Sequence, residues 1–280
     1  MAGFSDYLEN EILDHIMISA ASWTITSPCY IRLYSTSPNW DTGSGGTEIT
    51  VANGYDRKSL TMSSANWSAA ADDTNGVACY ISANQDWTAT GDWSGTVVGC
   101  GIWDAATGGN LYYGNDLAVS KTVTSGDTFR IPATTGFVVS VDKAAAAGFS
   151  HYIKHEILDH VTKSDASWSA PAHTHWRLYT AAPDLLLGTG GTEVTGGSYS
   201  RIEVTANSTN WNTAASGSLT LKADQTFTTS TASWGTVLAT AAFDDTETNL
   251  IWADSYTGVP VGIGDVFKHV ATTGVVLTWD

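Results

Sequence analysis

The chain has 280 residues, enough for two ordinary domains, with 42% hydrophobic but only 14% charged residues, against about 25% charged in typical soluble domains. Twelve Trp, 11 Tyr and 27 Gly beside abundant Thr and Ser describe a β-rich protein and exclude a disordered chain. Twelve cations against 28 acids leave a formal charge of −16, which disfavours a phosphate-tracking nucleic-acid surface or an anionic-membrane contact.

In chain order, the first predicted element is a helix. Ser5 is a good N-cap, Asp6 and Glu9 suit the positive end, and Leu8, Ile12 and Ile16 form an i, i+4, i+8 stripe. Short strands follow at 30–34, 77–81, 128–131 and 137–141, each β-branched or aromatic and bounded by turn formers. Gly108-Gly109-Asn110 reads as a hairpin turn, and Gly126-Asp127 as a tight turn before the penultimate strand.

The whole pattern then repeats. Glu11-Ile12-Leu13-Asp14-His15 returns unchanged as Glu156 to His160, and Ser150, Ile153, Ile157 and Val161 rebuild the capped stripe. At the same offset Arg32-Leu33-Tyr34 matches Arg177-Leu178-Tyr179, and Gly45-Gly46-Thr47-Glu48 matches Gly190 to Glu193. Later the offset drifts: Tyr55 and Arg57 match Tyr199 and Arg201, Trp67 matches Trp211, and Gly126-Asp127 matches Gly264-Asp265. The expected architecture is mainly β, with two tandem β-sandwich or jelly-roll-like domains at 1–143 and 144–280, each preceded by one short helix. Lys143-Ala144-Ala145-Ala146 is the joint, short enough to hold the modules close. Both copies are acidic, 15 acids to 6 bases and 13 to 6, so charge has not been divided into two jobs.

Matched positions separate scaffold from candidate sites. Trp23/Trp168 and Trp67/Trp211 read as core, and Arg32/Arg177, mid-strand among apolar residues, as partnered structural arginines. Cys29, Cys79 and Cys100 occur in one copy only and read as buried small side chains. His173-x-His175 could face one side of a strand as metal ligands do, but no third ligand is evident, so solvated or hydrogen-bonded rings are expected. His151 and His155, at i and i+4, read as an exposed helix face, and His15/His160 as capping or packing groups. Asp72-Asp73 and Asp244-Asp245 read as solvated loop acids. No catalytic, cofactor-binding or metal site is assigned, and no enzyme is expected: there is no G-x-S-x-G elbow, phosphate loop or dinucleotide fingerprint.

The leading Phe4-Ser5-Asp6-Tyr7-Leu8, Arg32-Leu33-Tyr34, Gly45-Gly46-Thr47-Glu48 with Gly54-Tyr55-x-Arg57, and the tract from Ile102 through Ala133 resemble small β-rich virion proteins of tailed bacteriophages. That family includes tail-fibre and capsid cement or decoration proteins of jelly-roll type. The resemblance implies a structural virion component made in the host cytoplasm. The leading expectation is a cement protein on the outer capsid surface, binding the major capsid protein and neighbouring copies of itself as a homo-oligomer. The alternative is a tail-fibre or receptor-binding module for host glycans. Trp40, Trp87 and Trp176 have no Trp counterpart in the other copy, so exposed and clustered they would favour glycan stacking, and buried they would favour a structural module.

Overall fold

The computed structural model describes residues 3–18, 23–72, 76–142, 148–165 and 168–279. The predicted joint and Asp73 lie outside the described residues. The first copy runs β1 (Gly3–Phe4), α1 (Asp6–Met17), β2 (Cys29–Thr36), β3 (Thr47–Glu48), β4 (Lys58–Leu60), β5 (Ala71–Asp72), β6 (Gly76–Tyr80), β7 (Gln85–Thr88), β8 (Val97–Trp103), β9 (Leu111–Lys121), β10 (Thr128–Ile131) and β11 (Val138–Asp142). The second runs β12 (Gly148–Phe149), α2 (His151–Thr162), β13 (His173–Ala181), β14 (Thr192–Glu193), β15 (Ile202–Thr205), β16 (Ser218–Thr220), β17 (Gln225–Thr226), β18 (Gly235–Phe243), β19 (Leu250–Val261), β20 (Lys268–His269) and β21 (Val276–Thr278).

Repetition of sequence becomes repetition of topology. The first copy's main sheet has the order β1-β9-β8-β2-β3 with β4 also on β2, and the second has β12-β19-β18-β13-β14 with β15 on β13. All pairings are antiparallel. Smaller sheets form the opposite layer: β10-β7 and β11-β6-β5 in the first copy, β17-β20 and β16-β21 in the second. The layers meet through aromatics. Tyr113 of β9 lies 6.1 Å from both Trp67 and Phe137, and Trp176 of β13 lies 6.0 Å from Trp211 and 5.3 Å from His269 of β20. The chain is mainly β with two helices, as the sequence predicts, and its sheets do not close into barrels.

Each helix begins at its predicted cap: Leu8 N–H donates to Ser5 Oγ at 3.3 Å and Ile153 N–H to Ser150 Oγ at 3.3 Å. The same hydroxyls donate to the Leu111 and Leu250 carbonyls, which pins each helix start to its own main sheet. Burial goes beyond the predicted stripe. In α1, Leu13, His15 and Met17 are buried along with Leu8, Ile12 and Ile16. The reason is position: α1 packs against β1 and β9 of its own copy and against β16 of the other, while α2 packs against β19 of its own and β6 and β11 of the first. A helix wedged between two copies must be apolar on more than one face. One hydrophobic cluster therefore runs from Leu8 to Trp279 through both copies.

The outer face of the main sheet explains one unpaired tryptophan. In the first copy Gly99, Gly101 and Gly114 make a shelf on β8 and β9, and a Cβ on them would come within 2.7, 3.0 and 2.3 Å of the Trp40 ring. Trp40 lies on that shelf, edge-on to Tyr34 at 5.7 Å, with its indole N–H donating to Asp116 at 2.9 Å. In the second copy Leu185 occupies the Trp40 position, and Ala239, Ala241 and Ala253 replace the three glycines in one small cluster. Volume removed from the ring reappears as three methyl groups. Trp87 and Trp176 are buried in the core.

His269 of β20 is 3% exposed, within 2.9 Å of Thr240 Oγ1 and 3.1 Å of the Gly274 carbonyl, and edge-on to Trp176. Burial pushes its pKa down to about 4, against a weaker upward pull from the Gly274 carbonyl.

Two outcomes are expected. Gly114→Ala, overpacked against Trp40, costs about 1–3 kcal/mol, and Trp40→Leu in the same chain relieves part of that loss; urea denaturation of the double-mutant cycle reads the coupling. Between about pH 6.5 and about pH 4 the unfolded chain binds a proton at position 269 that the folded chain does not, so stability falls on acidification. Urea midpoints across that window decline less steeply in His269→Gln than in the parent.

Candidate functional site

The seam between the copies gathers the recurring helix side chains Asp14/Asp159 and His15/His160. Asp14 Oδ1 accepts the Ala214 N–H at 2.7 Å, and Asp159 Oδ1 accepts the Ala70 N–H at 2.7 Å, so each helix satisfies backbone of the other copy. Asp159 also pairs with Lys163, whose side chain is 3% exposed. The first copy has Ile18 at the matching place and needs no such partner. His15 and His160 stack at 4.5 Å with planes 15° apart, midway between the modules. His160 Nε2 lies 3.0 Å from the Trp23 carbonyl and His15 Nε2 lies 3.3 Å from the Trp168 carbonyl. Burial lowers the His160 pKa, against the pull of the Trp23 carbonyl, which suits a neutral stacked ring. The packing expected of these histidines is present, and it is packing across the copies.

His151 and His155 do not form the exposed face expected of them. Their Nε2 atoms lie 2.5 and 2.7 Å from Oδ1 of Asp72 on β5 of the first copy, and 3.2 Å from each other. Hydrogen bonds from His155 and His151 hold the Asp72 carboxyl below the usual carboxylate range. The wedge position of α2 is what turns the histidines inward. Nothing local in sequence marks Asp72 as their partner.

The strand pair does not converge. His173 lies 3.6 Å from Glu203 and 3.5 Å from Asp245, while His175 lies 3.8 Å from Glu247. Asp244 and Asp245 lie in a loop, Asp245 exposed, and both also organise that loop. Asp244 accepts from the Asn249 side chain at 2.7 Å, and Asp245 accepts the His173 N–H at 2.7 Å. Asp104 grips Asn110 in the same way across the predicted hairpin turn, at 2.7 and 2.9 Å.

Other recurring motifs resolve into scaffold. Arg57 makes a bidentate pair with Glu48 at 2.8 and 2.9 Å, Tyr55 donates to the same carboxylate at 2.9 Å, and its hydroxyl accepts the Leu33 N–H at 2.9 Å. Arg201, Glu193, Tyr199 and Leu178 repeat the relay. Arg32 donates to the Ala105 and Gly108 carbonyls and lies 4.3 Å over Trp103; Arg177 donates to Glu247 and lies 3.8 Å over Phe243. The three cysteines are free and buried, and burial pushes the Cys79 thiol up to about 11. An open groove of about 430 Å³ runs beside β9 and β10, lined by Leu117, Val119, Lys121, Phe129, Arg130 and Pro132 among others, and none of the unpaired tryptophans lines it.

That this duplicated β-sandwich, interlocked by its helices, is a structural virion protein of a tailed bacteriophage follows from a family match. The family model described as podophage GP4 fiber I protein gp80 matches residues 3–136 and again 148–278. The chain belongs to that family and carries its module twice. No curated protein matches the chain.

Removing either helix aspartate leaves a backbone N–H without its acceptor. Asp14→Ala is expected to cost about 1–3 kcal/mol. Asp159→Ala also strands the buried Lys163 ammonium and is expected to cost about 3–5 kcal/mol. Urea unfolding of the two variants side by side reads the asymmetry.

Proposed function

We propose that the chain is a non-enzymatic structural module of a podophage fibre, a fused pair that assembles with neighbouring copies or other virion chains through its exposed strand and loop surfaces. The observation that carries this reading is the double match to a fibre family on two copies locked into one core. Family membership supports the fibre over the capsid-cement position. Fusion makes pairing intramolecular, so the dimeric unit does not dissociate on dilution. A continuous core also lets load pass from one module to the next without a weak tether. Apolar side chains such as Val119, Leu187 and Ile263 stand exposed and are suited to contacts with other chains.

Burial of Trp87 and Trp176, and the shelf under Trp40, support a structural module over a glycan-stacking platform. The motif carboxylates are engaged in turns and ion pairs, which supports a scaffold over a hydrolase.

Gold-labelled antibody against the chain, applied to purified particles, is expected to decorate fibres. Gold spread over the capsid shell would overturn the fibre reading in favour of cement. Binding to host glycans on an array, lost on Trp40→Ala, would restore the receptor-binding alternative.

A further inference from the structure

Asp72, His151 and His155 bring one oxygen and two imidazole nitrogens together, all within 4.8 Å of one another. Among the described residues this is the group of three His, Cys, Asp or Glu side chains that converges in this way. The histidines stand one turn apart on α2 with ring centroids 4.7 Å apart, and the aspartate comes from β5 in the other copy.

Protons alone serve this arrangement poorly. Asp72 Oδ1 can accept from both Nε2 atoms only if both carry hydrogen, and then two N–H donors crowd onto one oxygen with their nitrogens only 3.2 Å apart. A tetrahedral cation removes that conflict. Metal–nitrogen bonds of about 2.0–2.1 Å place neighbouring ligand atoms roughly 3.3 Å apart, close to the present nitrogen separation. The Asp72 oxygen must retreat by less than an ångström, and its side chain, 67% exposed, is free to do so. Asp72 is exposed to solvent, so water can supply a fourth ligand. Two imidazoles with one carboxylate select a first-row transition cation over calcium or magnesium, which prefer all-oxygen shells.

The molecule supplies its own comparison. Asp6 and Asn10 stand on α1 where α2 has His151 and His155, and Ser216 stands where the first copy has Asp72. There Asn10 Oδ1 accepts the Gly217 N–H at 3.0 Å, an ordinary hydrogen bond between helix and opposite copy. Only one of two pseudo-equivalent junctions has acquired the histidines. The formal charge of −16 favours cation capture in general, while the histidine pair supplies selectivity. His151 Nδ1 is buried without a partner, so this site lacks the outer hydrogen bond that usually fixes a ligating ring.

We propose that Asp72, His151 and His155 form a binding site for one first-row divalent transition cation, of the zinc class, which ties α2 to the edge of the first copy. The site stands independently of the fibre reading.

The test uses the full chain, purified without a histidine tag, stripped with chelator and titrated with zinc chloride by calorimetry. The expected result is one saturable equivalent per chain and a rise in Tm on zinc addition. His151→Asp with His155→Asn, the residues α1 carries, is expected to weaken binding by at least the ~10–100-fold that loss of an outer-shell partner costs. Asp72→Asn, at an exposed position, gives the same loss without touching the helix. His173→Ala leaves binding unchanged. No saturable binding by the parent chain, or parental affinity in Asp72→Asn, overturns the proposal.

Discussion

Everything in this molecule depends on the wedging of each helix between its own main sheet and the smaller sheet of the other copy. A twelve-residue helix is marginal alone, and burial on more than one side is what holds it. Because α1 covers β16 and α2 covers β6 and β11, neither smaller sheet is complete without the opposite helix. The helix aspartates bind backbone in the same exchange, and the stacked His15 and His160 mark the approximate twofold axis. The tandem chain is thus a covalent dimer in which each half keeps its helix on its own main sheet and also lends it to cover the other half's smaller sheet.

Duplication leaves constraint and drift side by side. The Tyr55–Glu48–Arg57 relay and the Asp104–Asn110 grip survive in both copies, and each satisfies buried or turn backbone. Pure packing has drifted in compensated sets. Trp40 over three glycines and Leu185 among three alanines fill the same space by different routes. Cores accept such exchanges when volume is kept. The junctions have drifted too, since Asn10 and His155 sit at equivalent places and meet the opposite copy with different chemistry.

Much of the fold is legible in the sequence, because caps, stripes and turns are local. Ser5 and Ser150 mark both helix starts, and the recurring strand signals give a mainly β chain in two copies. What covers a helix is not local. Period 3.6 shows that His151 and His155 share a face, but not that β5 of the other copy lies beneath it. Leu13 and Met17, lying off the predicted stripe, were the readable sign that α1 is buried on a second side. Gly99, Gly101 and Gly114 against Ala239, Ala241 and Ala253 likewise carried the Trp40 shelf as a covariation within the chain.

The same geometry bears on what a doubled module gains. Two separate modules that cover each other with helices pay the entropy of association each time they meet, and part again when dilute. Joined in one chain, the partner is always present at high effective concentration. The two halves are also free to diverge, since only one must keep any given external contact. Histidines at a single junction and a tryptophan shelf on a single sheet are the outcome such freedom allows: a near-symmetric core with two unlike outer faces.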